Sequence, residues 1–82
     1  MLTEGFAQAF GPSVRVNTIQ CGPFLTDISR SWTPETRERL ESSVALQRCG
    51  RPDEVVDAAL FFAAESSSFV TGAVLRIDGG TR

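Results

Sequence analysis

Two short runs rich in β-branched residues set the frame for this chain: residues 14–19, Val-Arg-Val-Asn-Thr-Ile, and residues 73–77, Ala-Val-Leu-Arg-Ile. The sequence between them reads mainly as helix. A strand, a helical crossover and a second strand make one βαβ unit, with parallel strands and a right-handed crossover. Parallel sheets carry helices on both faces. With 82 residues the chain cannot cover both faces of its own two strands, and it leaves an apolar strand edge unpaired. Buried apolar area and the cost of ordering the chain each come to on the order of 120 kcal/mol, so an incompletely covered sheet is marginal alone. The expected fold is α/β: a βαβ portion of a larger, doubly wound parallel sheet.

Local signals place the helices. Leu2, Phe6, Ala9 and Phe10 fall at helical spacing, and Gly11-Pro12 stops the run. Residues 3–10 hold barely two turns, too little to stand alone, and are expected to be the last part of a longer helix. Gln20-Cys21-Gly22-Pro23 reads as a loop after the first strand. Thr33-Pro34-Glu35 opens a second helix with a threonine cap, a proline in the first turn and an acid beside it. It is expected over residues 33–47, as a surface flap with a thin apolar stripe of Leu40, Val44 and Ala45. Pro52-Asp53-Glu54 opens a third helix, expected over residues 52–65 and apolar on most sides. Thr71-Gly72 turns the chain into the second strand, and Asp78-Gly79-Gly80 reads as a structural turn.

Composition removes several chemistries. The eight basic residues are all arginine, and histidine, lysine and tyrosine are absent. There is no Ser-His or Cys-His pair, no Schiff-base lysine and no phenolic acid or base. The net charge is −2 and the arginines are scattered among acids, which argues against nucleic acid as a partner. No apolar run approaches the roughly 20 residues of a membrane span. Without a secretory leader the chain is expected in the cytoplasm, with Cys21 and Cys49 as reduced thiols.

Three segments carry a resemblance. Arg15-Val16-Asn17-Thr18-Ile19-Gln20-Cys21-Gly22-Pro23-Phe24-Leu25-Thr26-Asp27 resembles the segment after the sixth strand of short-chain dehydrogenases/reductases. Gly50-Arg51-Pro52-Asp53-Glu54-Val55-Val56 resembles that family's entry into its last large helix. Residues 69–80, ending Arg76-Ile77-Asp78-Gly79-Gly80, resemble its closing strand. Order and spacing match along essentially the whole chain.

The resemblance implies an NAD- or NADP-dependent oxidoreductase. Its substrate would be a small carbonyl or alcohol, with hydride moving to or from the nicotinamide. Residues 1–82 would be a partial Rossmann domain, the family's C-terminal third. The glycine-rich cofactor turn and the Tyr-x-x-x-Lys pair are not in this sequence, so the chain alone is expected to be inactive and no catalytic residue is assigned. The family's pattern places the Tyr-Lys pair just upstream of Met1. By the same resemblance, Cys21, Gly22, Pro23, Phe24 and Thr26 are the cofactor-binding residues. Their loop would lie along the nicotinamide ring, the Phe24 backbone would bond the carboxamide, and the Thr26 hydroxyl would reach the carboxamide or pyrophosphate. The family's usual proline is here Cys21, and its usual isoleucine or valine is Phe24. Thr26-Asp27 also suits a simple helix cap, and Asn17 suits the satisfaction of a neighbouring backbone group. The helix at residues 33–47 would correspond to a mobile substrate lid, with Trp32 either lining the substrate mouth or anchoring the lid. The last helix and strand would form the interface of a homo-oligomer. The alternative is a non-catalytic module that only associates with full-length subunits.

Overall fold

The computed structural model describes residues 1–81. Helix α1, Leu2–Phe10, is followed by strand β1, Thr18–Cys21. A short 3-10 helix, Asp27–Ser31, leads into α2, Pro34–Ser42, and then α3, Pro52–Ala63. A single 3-10 turn, Glu65–Ser67, precedes strand β2, Val74–Ile77.

The two strands pair in parallel, with Thr18 opposite Val74 and Cys21 opposite Ile77. This is the expected βαβ unit, and α3 lies against β1. Among the described residues the sheet has two strands, so the outer edge of each is unpaired.

Strand β1 sits later than residues 14–19 suggest. Residues 14–17 lie outside the ladder, and Arg15 and Asn17 work as side-chain anchors ahead of it. Asn17 donates from Nδ2 to the Val70 carbonyl at 3.1 Å and accepts from the Ala73 N–H at 3.0 Å, which fixes the turn before β2. The Val16 N–H donates to Thr71 Oγ1 at 3.0 Å. Because β2 begins only at Val74, the register starts at Thr18 and carries Gln20 and Cys21, read as loop, into the strand.

Arg15 closes the far end of α3. Its guanidinium donates to the carbonyls of Phe62 at 2.8 Å, Ser67 at 2.9 Å and Val70 at 3.0 Å. Helix C-termini leave such carbonyls without intrahelical partners and favour a cation beside them. Ser67 is fully buried there, donating its hydroxyl to Phe62 or Ala64. The helix accordingly ends at Ala63, short of residue 65, and the chain tightens into the 3-10 turn.

Helix α2 is also shorter than residues 33–47. Thr33 caps it, its hydroxyl accepting from the Thr36 N–H at 3.1 Å. At the other end the backbone turns away to pair with the chain terminus. Val44 is 1% exposed and bridges Thr81, while the N–H groups of Ala45 and Leu46 donate to Gly80 at 2.8 Å and Gly79 at 2.9 Å.

Much apolar surface stays open. The accessible area is 6023 Å²; a compact protein of this mass exposes about 4,800 Å². Helix α3 has no buried residue, with Val56 54%, Leu60 61% and Phe61 45% exposed. Along α1, Leu2, Phe6 and Phe10 are exposed as well. These are the uncovered helix faces that a two-stranded sheet cannot bury alone.

Candidate functional site

The site lies at the carboxyl end of the parallel strands, where open α/β sheets take their ligands. β1 and β2 end side by side at Cys21 and Ile77. The Gly22 N–H donates to the Ile77 carbonyl at 2.9 Å. A β-carbon on Gly22 would stand 2.7 Å from both Cα and Cβ of Asp78. The close approach that Gly22 permits is therefore made to Asp78.

The chain then forms one parallel bridge, Phe24 to Gly50. The Gly50 N–H donates to the Pro23 carbonyl at 2.9 Å, and the Leu25 N–H donates to the Gly50 carbonyl at 2.8 Å. The Phe24 ring lies over Gly50, where a β-carbon would come within 2.5 Å of Phe24 Cε1. In such a bridge the bonds run through the neighbours of Phe24, so its own N–H and C=O point the other way. Neither has a partner among the described residues.

Thr26 precedes the 3-10 helix. Its N–H donates to Ser29 Oγ at 3.1 Å, so Ser29 supplies the side-chain bond of the cap. The Ser29 N–H donates to the Thr26 carbonyl at 3.0 Å and not to its hydroxyl, so the Thr26 side chain makes no capping bond. Among the described residues the Thr26 hydroxyl has no hydrogen-bond partner.

These residues share one cavity of about 600 Å³. Cys21, Gly22, Pro23, Phe24 and Thr26 form one wall, Trp32 and Leu40 a second, and Pro52, Val55 and Val56 a third. All five sequence-assigned residues are thus brought together. Trp32 lines the same cavity, held between the 3-10 helix and the cap of α2. Cys21 is exposed and Cys49 is buried, and both are free thiols.

The loop that carries Gly50 is held by an ion pair that sequence reasoning missed. Arg48 donates to both carboxylate oxygens of Glu54, at 2.9 and 3.0 Å. Glu54 also accepts the Arg51 N–H at 2.8 Å, capping α3. The Arg48 hydrogen bond first, and the Arg51 N–H second, lower the Glu54 pKa from 4.5 to about 2. The signal was an acid three residues into a helix that opens with proline. Asp78 accepts the Gly80 N–H at 2.9 Å, and that bond is the main cause holding its carboxyl below the usual range. Asp78-Gly79-Gly80 is a turn, as read from the sequence.

The parallel pair, the site at its carboxyl end and the helices around it define an α/β protein of the doubly wound, Rossmann type. A family model described as enoyl-(acyl carrier protein) reductase matches residues 1–82. The 3-oxoacyl-(acyl-carrier-protein) reductase of Chlamydia trachomatis is 40% identical over 81 residues, covering 93% of this chain and 33% of that protein. Glucose 1-dehydrogenase of Gluconobacter oxydans is 39% identical over 69 residues, covering 82% of this chain and 26% of that protein. The crystal structure of a 3-oxoacyl-(acyl-carrier protein) reductase from Brucella melitensis superposes with a TM-score of 0.92 at 34% identity, over 98% of this chain and 30% of that one. The chain belongs to the short-chain dehydrogenase/reductase family of oxidoreductases. It spans about a third of the length of the curated relatives it matches. No helix among the described residues is long and apolar enough to cross a membrane.

Proposed function

We propose that this chain forms the nicotinamide-flanking wall of the cofactor pocket in an NAD- or NADP-dependent oxidoreductase acting on a carbonyl or alcohol in the cytoplasm. The observation that carries the reading is the free N–H and C=O of Phe24, next to the free hydroxyl of Thr26, in one cavity at the carboxyl end of parallel strands. A primary carboxamide offers one C=O and one NH₂, the complement of that backbone pair. The residues present fit the nicotinamide end of such a cofactor. Phe24 would hold the carboxamide through its backbone, and Thr26 would bond the carboxamide or a phosphate oxygen. Pro23 fixes the loop, and Cys21 borders the ring.

When bound, the cofactor gives or takes the hydride. This chain's part is to bind, orient and exclude water. With no tyrosine or lysine it brings no proton-transfer group of the family's kind. The test is a chimera in which residues 1–82 replace the matching third of the Chlamydia trachomatis reductase. A folded chimera that oxidises NADH or NADPH in the presence of a carbonyl substrate is expected. A folded chimera that binds neither cofactor contradicts the reading.

The exposed Val56, Leu60 and Phe61 on α3 support a second reading. There the chain acts only by association, joining full-length subunits through α3 and β2. A discrete mixed oligomer on size-exclusion chromatography favours it, and the chimera's turnover favours the first.

A further inference from the structure

We infer that the substrate presented to this wall is an apolar carbonyl or alcohol, aliphatic or carbocyclic, and that Trp32 selects for it against polyhydroxylated compounds. The inference deepens the proposed function and rests on its placement of the nicotinamide. Hydride transfer needs the donor and acceptor carbons in contact. A substrate must therefore enter the same cavity that Phe24 and Thr26 line. That cavity, at about 600 Å³, exceeds what a nicotinamide ring fills, and its volume falls in the range of small-molecule sites.

The walls facing the remaining space are Trp32 and Leu40 on one side and Val55 and Val56 on the other. No acid or arginine lines it, and Thr26 carries the only side-chain hydroxyl. If Phe24 and Thr26 engage the carboxamide, the indole N–H of Trp32 and the thiol of Cys21 are the only side-chain polar groups left on these walls, too few for the several hydroxyls of a sugar. A polyol laid against these walls would give up the water hydrogen bonds of its buried face with little replacement. A hydrocarbon ring would lose only unfavourable hydration and would gain contact with the indole face.

Trp32 also supplies the readout. It is the only tryptophan of these 82 residues and tyrosine is absent, so in the 82-residue chain intrinsic emission reports this cavity alone; in a chimera the Trp32 signal is the difference from its Trp32→Phe variant. Two six-membered carbocycles make a matched pair of probes: cyclohexanol, with one hydroxyl, and myo-inositol, with six. Each is titrated against the 82-residue chain, and against the Chlamydia chimera saturated with NADP+. The expected result is a saturable blue shift of Trp32 emission with cyclohexanol, and a half-saturation concentration at least about tenfold higher, or no response, with myo-inositol. Leu40→Asp is expected to abolish the cyclohexanol response while leaving far-ultraviolet dichroism unchanged. An equal or stronger response to myo-inositol, or no cyclohexanol response in either protein, overturns the inference. The cofactor reading is scored separately, by 1-methylnicotinamide shifting the Phe24 amide resonance. If that shift appears and cyclohexanol fails, only the substrate class falls.

Discussion

Gly22 sits with its bare α-carbon against Asp78, so that a β-carbon at position 22 would lie 2.7 Å from Asp78 Cα and Cβ. This contact joins the two strand ends and sets where the Cys21–Thr26 loop leaves the sheet. Gly22→Ala must push backbone apart, because Asp78 Cα cannot yield as a side-chain tip can. The expected loss is about 1–3 kcal/mol in urea unfolding, with the amide resonances of residues 21–24 displaced. An alanine variant of unchanged stability would show that the strand ends are not packed this tightly.

Arg15 carries a second long-range tie. Its guanidinium satisfies three carbonyls around the end of α3. Arg15→Met keeps the aliphatic stem and removes the donors. The expected cost is about 3 kcal/mol, seen as a lower urea midpoint, with amide exchange accelerated first in residues 62–70.

Acid should weaken the loop before α3. The Glu54 carboxyl has a pKa of about 2 in the folded chain against an ordinary 4.5. A depressed carboxylate pKa gives stability that is fully present above about 4.5 and is lost as pH falls toward 2. Asp78, also held low, adds to the loss in the same direction. The melting temperature is expected to be flat from pH 7 to 5 and to fall between pH 4.5 and 2. Glu54→Gln should be less stable at pH 7 and show a shallower fall. A parallel fall in both proteins would place the acid sensitivity elsewhere.

Two threonines at helix starts should behave differently. Thr33 caps α2 through its hydroxyl, so Thr33→Ala is expected to cost about 1 kcal/mol. Thr26 makes no capping bond, so Thr26→Val should change stability by less than about 0.5 kcal/mol. In the Chlamydia chimera the same Thr26→Val should raise the cofactor KM. A large stability loss from Thr26→Val would assign its hydroxyl to the cap.

Much of this was legible in the sequence for local reasons. Pro34 and Pro52 mark helix starts because proline fits the first turn, and Asn17 had the hydrogen-bonding pattern of a backbone anchor. The parallel pairing followed from a helical crossover between β-branched runs. What escaped depends on partners far along the chain. Strand β1 starts at Thr18 because β2 starts at Val74. Helix α2 stops at Ser42 because residues 44–46 are claimed by residues 79–81. The role of Arg15 is set 47 residues away at Phe62. The five site residues were found through a family motif; that they line one open apolar cleft with Trp32 is a matter of packing, which no local pattern encodes.

If the Phe24–Thr26 loop meets a nicotinamide, as proposed, its backbone amides must respond to one. The most direct measurement is a map of backbone amide shifts in the 82-residue chain titrated with nicotinamide mononucleotide. Saturable shifts are expected, largest at Phe24 and Thr26 and smaller at neighbouring cavity residues, with no turnover of NADH or NADPH by the chain alone. Shifts centred elsewhere, or no shift at Phe24 at saturating ligand, would contradict it.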